Sequence, residues 1–320
     1  MKSLCCSVSS LALLVALAAP ASAAPTVDGT VDGSYGAPLA VQTVQTNFGD
    51  STGGVTGGGE LDAAYATVSG DRLYVMITGN IENNFNKLSL FIDSKAGGEN
   101  TLSGGPSYDG GVSSNFAGLT FDTGFEADYH VFGRWGGAFE VDVVDRAGGA
   151  CTNDCLGDFG AATVGAGTAV QSGTVLGDGN GTTSFLSSPA EFGFNNNNAA
   201  GVGGGTGAVV GDPASVTTGF EFSIALADIG SPVVGSEILI HAAYGNGDNN
   251  FHSNQILGGL AAPQDNLGGD GGGNFTGNLG GIDFNQFAGA QYFSVTVVPE
   301  PGALMIAMLA VCGFVARRRA

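Results

Sequence analysis

Short segments in which apolar and polar residues alternate, separated by runs of glycine and asparagine, constrain this chain more than any other feature. In GFEFSIAL, Phe220, Phe222, Ile224 and Leu226 fall on one side and Glu221 and Ser223 on the other. A period of two is the signature of a strand with one buried face. Residues 87–93 (KLSLFID) repeat it with Leu88, Leu90 and Ile92, and residues 138–144 (AFEVDVV) with Phe139, Val141 and Val143 inward and Glu140 and Asp142 outward. Further strands are expected at residues 41–46, 63–67, 72–78, 129–132, 237–244 and 291–297. No long stretch between the termini has the 3.6-residue period of a helix.

The connections are rich in Gly at residues 53–59, 96–111, 147–181, 195–211 and 258–281, and they explain why 57 of 320 residues are Gly. Loops that need positive φ accept Gly at least steric cost. Short strands with turn-rich connections predict an all-β fold: one antiparallel β-sandwich with long Gly/Asn-rich loops, occupying residues 24–297 as a single domain. No internal repeat is present.

The ends follow a different rule. Lys2, the apolar run 11–19 and then Ala21, Ser22 and Ala23 form the charged start, apolar centre and small-residue exit of a secretory signal peptide. Residues 1–23 are therefore expected to be a signal helix, cleaved between Ala23 and Ala24. The run is shorter than the ~20 residues that span a bilayer, which argues against a retained membrane helix. Cys5 and Cys6 precede the apolar centre rather than following it, which argues against lipid attachment. At the other end, Val298, Pro299, Glu300, Pro301 and Gly302 precede an apolar stretch, residues 303–316, and the cluster Arg317, Arg318 and Arg319.

This C-terminal order resembles the PEP-CTERM sorting signal of exported bacterial proteins. The resemblance covers residues 298–320. It implies processing by an exosortase-type protease, a membrane-anchored precursor, transient residence in the inner membrane through a C-terminal hydrophobic helix, and a final place at the cell surface or in an exopolysaccharide matrix, as in a biofilm. The arginines would stay on the cytoplasmic side, while Pro299 and Pro301 would keep the preceding segment extended. The 14 apolar residues would make about 21 Å of helix against a hydrocarbon core of about 30 Å, so the anchored state would be strained or sit in a thinned bilayer. A plain C-terminal anchor is the alternative.

Between Asp28 and Glu300 lie all 29 carboxylates but only Arg72, Lys87, Lys95, Arg134 and Arg146, a net charge of −24. Such a field repels phosphate backbones and excludes a nucleic-acid partner. It is compatible with neutral glycans, divalent cations or simple solubility. Cys151 and Cys155 are the only thiols of the body, and in an oxidising compartment they are expected to form a disulfide around a very short loop. No zinc-type spacing accompanies them.

A second resemblance concerns the body. Residues 27–35 (VDGTVDGSY), 72–80 (RLYVMITGN) and 90–93 (LFID), then FEFSI at 220–224 followed by Leu226, Ala227 and Asp228, are similar to the DOMON-like β-sandwich group that includes family 9 carbohydrate-binding modules. It implies a jelly-roll-like sandwich and carbohydrate binding. Tyr35 stands where many relatives carry Trp.

Little in the chain points to catalysis. The G-x-S-x-G string from Gly49 to Gly53 is followed by glycines rather than a helix and reads as a turn. His130, His241 and His252 occupy no metal or catalytic spacing, and His241 is expected on the strand face opposite Ile238 and Ile240. A carboxylate pair for glycoside hydrolysis could be drawn from so many acids, but none stands out. The expectation is a non-enzyme, with an extracellular hydrolase as the remote alternative. For calcium, the alternating Asn246, Asp248 and Asn250, and the group Asp265, Asp270 and Asn274, are candidate oxygen ligands; an ordinary Asn/Asp/Gly turn is the other reading of both. For a glycan, Trp135 in GRWGG, with Tyr129 and Tyr244, is the candidate stacking surface. The functional expectation is thus a calcium-assisted carbohydrate-binding surface protein, or an acidic matrix protein without a defined ligand.

Overall fold

The computed structural model describes residues 23–49, 59–146, 170–176, 185–198 and 200–298. They belong to one contact unit, Ala23–Val298. Its architecture is two antiparallel sheets. The strands are β1 (Ala40–Val41), β2 (Glu60–Ser69), β3 (Arg72–Asn80), β4 (Lys87–Asp93), β5 (Tyr129–Gly136), β6 (Ala138–Asp145), β7 (Val170–Val175), β8 (Ala190–Asn195), β9 (Gly219–Ala225), β10 (Glu237–Gly245), β11 (His252–Leu257) and β12 (Phe293–Thr296). The first sheet runs β1-β2-β3-β9-β8-β7 and the second β11-β10-β4-β5-β6. Strand β12 pairs with β10 over residues 237–240, beyond the stretch that β11 occupies.

Alternation does what the sequence requires of it. Leu73, Val75 and Ile77 of β3 and Phe220, Phe222 and Ile224 of β9 meet Leu88, Leu90 and Ile92 of β4, Val131 of β5 and Phe139, Val141 and Val143 of β6 in one apolar core between the sheets. Its largest rings stack: Phe139 lies on Phe194 with centroids 4.0 Å apart and planes 10° from parallel. Gly133 of β5 leaves room for Phe139, since a Cβ there would sit 2.7 Å from the ring's Cζ.

Neither outer face is simply solvated. On the first sheet, Glu221 is fully buried, and its carboxylate accepts from Asp28 N (2.9 Å), Gly29 N (3.0 Å) and Tyr35 Oη (2.7 Å). The segment 27–35 is thereby laid across the sheet, with Tyr35 packed among Tyr65, Tyr74 and Met76. On the second sheet, the excursions between β4 and β5 and between β11 and β12 form a covering layer. Phe116, Leu119, Phe121, Phe125, Leu267, Leu279 and Phe284 make a second apolar core against Phe91 and Ala243.

Some strands differ from expectation. Of residues 41–46 only Val41 is in a strand, the two-residue Ala40–Val41, followed by single bridges at Val44 and Thr46. The Gln42 side chain accepts from Thr43 N and Val44 N and takes those amides from a ladder. Strand β7 lies inside the 147–181 run expected to be loop, and β8 and β11 were not anticipated. Strand β5 runs on to Gly136 rather than stopping at residue 132. The expected signal helix and C-terminal helix lie outside the described residues. Among the described residues, no helix is long and apolar enough to cross a membrane.

Candidate functional site

Among the described residues, a linked group of charges sits under the covering layer of the second sheet. Strand registers place Lys87 opposite Arg134 and Arg134 opposite Glu140, so the three form one row across β4, β5 and β6. The next row holds Ser89, Phe132 and Asp142. These positions alternate with Leu88, Val131 and Val141 and therefore face away from the inter-sheet core. The segment Asp109–Phe116, two 3-10 turns separated by a kink at Gly110 and Gly111, meets them through Asp109.

Asp109 is the hub. Its Oδ2 meets Lys87 Nζ directly and accepts from Asn249 Nδ2 at 3.2 Å, while Oδ1 accepts from Arg134 Nη1 at 2.5 Å. Arg134 also donates through Nε to Glu140 Oε2 at 2.5 Å. The Lys87 and Asp109 side chains are 2% and 3% exposed. Lys87 Nζ lies 5.4 Å from the centre of the Phe132 ring. Asp109 has φ 57, a left-handed conformation that Asp tolerates better than most residues but that still costs energy.

Burial sets the electrostatics. Desolvation lowers the Lys87 ammonium below its usual range, with Asp109 opposing. Desolvation pushes Asp142 up to about 8, against the pull of Arg134, and neither of its oxygens has a hydrogen-bond partner among the described residues. For Arg134 burial acts downward, but the Glu140 hydrogen bond and the Asp109 charge outweigh it and raise the guanidinium.

A second buried group adjoins the first. Arg146 Nη1 donates to Tyr108 Oη at 2.8 Å, and Arg146 Nη2 donates to Glu99 Oε2 at 2.6 Å. The hydroxyl proton of Tyr108 is then left for His130 Nδ1, 2.8 Å away, which puts the ring proton of His130 on Nε2. Burial, with the Arg146 charge, lowers His130 well below the usual range, so it is neutral, stacked on Phe91 at 4.2 Å. His241 and His252 are likewise buried, which lowers them to about 3 and about 4. His241 is on the outer face of β10, with Nδ1 2.6 Å from Gln291 O.

Among the described residues, two concavities lie in or beside this covering layer. A small cavity of ≈ 20 Å³, lined by Lys87, His241, Asn249 and His252 among others, adjoins the charge cluster. An open cleft of ≈ 270 Å³ lies on the covering layer between Asp122, Thr123, Asn285, Phe287, Gly289, Ala290 and Tyr292. Its polar wall is held firmly: Asp122 Oδ2 accepts from Gln291 N at 2.7 Å, and Asn285 Oδ1 accepts from Thr123 N and Oγ1 at 2.9 and 2.8 Å. Tyr292, half-buried, packs on Phe125 with centroids 5.6 Å apart.

The stacking surface expected from Trp135, Tyr129 and Tyr244 is not formed. Trp135 is 0% exposed, edge-on to Phe194 at 5.6 Å, with Nε1 donating to Gly137 O. Tyr129 is 2% and Tyr244 0% exposed. The reason is the length of β5: because it continues through GRWG, Trp135 shares the inward phase of Tyr129 and Val131 instead of standing on a loop. Tyr244 is in phase with the inward Ile238, Ile240 and Ala242 of β10, and its hydroxyl accepts from Glu82 N at 3.0 Å.

The candidate calcium oxygens are engaged as turn acceptors. Asn246 Oδ1 accepts from Asn250 N and Phe251 N at 3.0 and 3.1 Å, and Asn246 Nδ2 donates to Asn250 Oδ1 at 2.6 Å. Asp248 is exposed on the same turn. Asp265 Oδ1 accepts from Asn266 N and Asn47 Nδ2, while Asp270 accepts from Gly272 N, Asn274 N and Asn274 Nδ2. Among the described residues, no group of three or more His, Cys, Asp or Glu side chains could hold a metal ion.

Ala23, Ala24 and Val298 are exposed. Cys151, Cys155, Pro299, Glu300, Pro301, Gly302, Arg317, Arg318 and Arg319 lie outside the described residues, as does all of the G-x-S-x-G string after Gly49. The Lys87 cluster escaped the sequence reading. Asp142 faces outward on β6 as expected, yet it is buried because a loop layer covers that face. No family model, no curated protein and no solved structure matches this chain.

Proposed function

We propose that this chain is an exported, non-enzymatic protein of the cell surface or extracellular matrix, sorted by its C-terminal tail and associated with exopolysaccharide. The observation that carries the reading is the tail itself, in which Val298, Pro299, Glu300, Pro301 and Gly302 precede an apolar segment and Arg317, Arg318 and Arg319. The body suits it. A jelly-roll or DOMON-like sandwich, strongly acidic and with its histidines buried and held neutral, suits a scaffold. Tyr292 and Phe287 beside Asp122 and Asn285 favour a second, narrower reading, in which the ≈ 270 Å³ cleft takes a sugar residue against aromatic faces with polar anchors.

The sorting reading is tested by fractionating host cells that express the wild type or the double variant Pro299→Ala, Pro301→Ala. Wild type should be found at the surface or in the medium, and the variant should accumulate in the membrane. Equal distribution of the two would contradict sorting by this motif. The cleft reading is tested by retention on polysaccharides, where Tyr292→Ala should weaken retention about tenfold, the worth of one aromatic contact of ~1.4 kcal/mol. Unchanged retention would remove the cleft as the site.

A further inference from the structure

We propose that Lys87 and Asp109 are joined by an intramolecular amide bond that staples strand β4 to the loop layer covering the second sheet. Their side chains meet directly at Nζ and Oδ2 and are almost wholly withdrawn from water. Holding that pair as ions is costly, because two charges have left water and their attraction offsets only part of the loss. Condensation removes both charges and keeps the contact. It also gives the left-handed backbone of Asp109 a purpose, since that conformation presents its carboxyl to a lysine from the neighbouring layer.

The surrounding groups are those the chemistry needs. Burial depresses the Lys87 ammonium, which favours the free amine and its lone pair. Arg134 Nη1, 2.5 Å from Asp109 Oδ1, holds the oxygen on which negative charge develops when Nζ attacks Cγ. Asn249 Nδ2 touches the other oxygen, Oδ2. The step balances without a cofactor. The Nζ–Cγ bond forms, the Cγ–Oδ2 bond breaks, and two of the three ammonium protons pass across the direct Nζ–Oδ2 contact and leave with Oδ2 as water. A cation and an anion become a neutral amide. Proximity supplies much of the drive, because both reactants are fixed in contact by the fold.

The test is peptide mapping of the full chain, purified folded, then denatured, reduced and digested with trypsin. The expected product is a branched peptide that joins the Lys87 and Asp109 segments, lighter by one water than the two linear peptides together, with no cleavage after Lys87. Recovery of both linear peptides at full mass would overturn the proposal, and this readout needs no variant. Asp109→Ala should give only linear peptides.

Discussion

At the scale of single residues, burial governs the ionisable groups, and it makes stability depend on pH in two opposite ways. Asp142 is pushed from 3.8 up to about 8 and Asp62 to about 7, both chiefly by desolvation. The unfolded chain releases these protons near pH 4 and the folded chain later, so both groups lower stability as pH rises through that window. His241 and His252 are lowered by burial to about 3 and about 4, from 6.5, and they raise stability between those values and pH 6.5. Above pH 6.5 the histidine contributions are complete. Thermal stability should therefore fall from pH 6.5 to 8, and Asp142→Asn should flatten that fall; a wild-type profile rising across the interval would contradict the burial of these acids. Trp135→Ala should cost about 3–5 kcal/mol in denaturant unfolding, as for other buried aromatic rings. A cost below about 0.5 kcal/mol would mean that the ring is outside the core.

At the scale of elements, close backbone approach decides which glycines are indispensable. Gly79 lies at the end of β3 with φ 139, and a Cβ there would come within 2.3 Å of Glu60 O. It pairs with Leu61 beside the register shift between Leu61 and Ala64, where β2 bulges. Gly79→Ala should destabilise by about 1–3 kcal/mol or more, checked by the shift in denaturation midpoint, and a neutral substitution would show that the bulge can relax. The strands β3, β4, β6, β9 and β10 were legible because each buries alternate apolar residues. Strand β11 was not, since its buried Ser253, Asn254 and Gln255 are satisfied by partners far away in sequence, such as Gln45 O, which accepts from both Asn254 Nδ2 and Gln255 Nε2. Strand β8 carried a readable signal in Phe192 and Phe194, which alternate around Gly193. The charge cluster depends on which loop folds over which face, and alternation alone says only which side a residue takes. Period two placed Asp142 on the outer side but could not reveal that Tyr108 and Phe132 pack in that layer.

At the scale of the whole molecule, the covering layer turns a two-sheet sandwich into a body with a second apolar core. The glycine-rich excursions are thus partly structural, since Leu267, Leu279 and Phe284 from one of them pack beneath it. The segment 27–35 does the same on the first sheet through Glu221, and Glu221→Ala should release it. That variant is expected to lose about 1–3 kcal/mol and to become sensitive to proteolysis near its N-terminal segment, which limited digestion would detect; resistance equal to wild type would mean that Glu221 does not hold the strap. An acidic body of this kind accords with the proposal of an exported protein. The measurement that tests this account most directly is mass analysis of the chain recovered from the surface of its native host. The account predicts a species beginning at Ala24 and lacking Arg317, Arg318 and Arg319. A surface chain that keeps the arginine cluster, or one retained inside the cell with its first 23 residues attached, would contradict it.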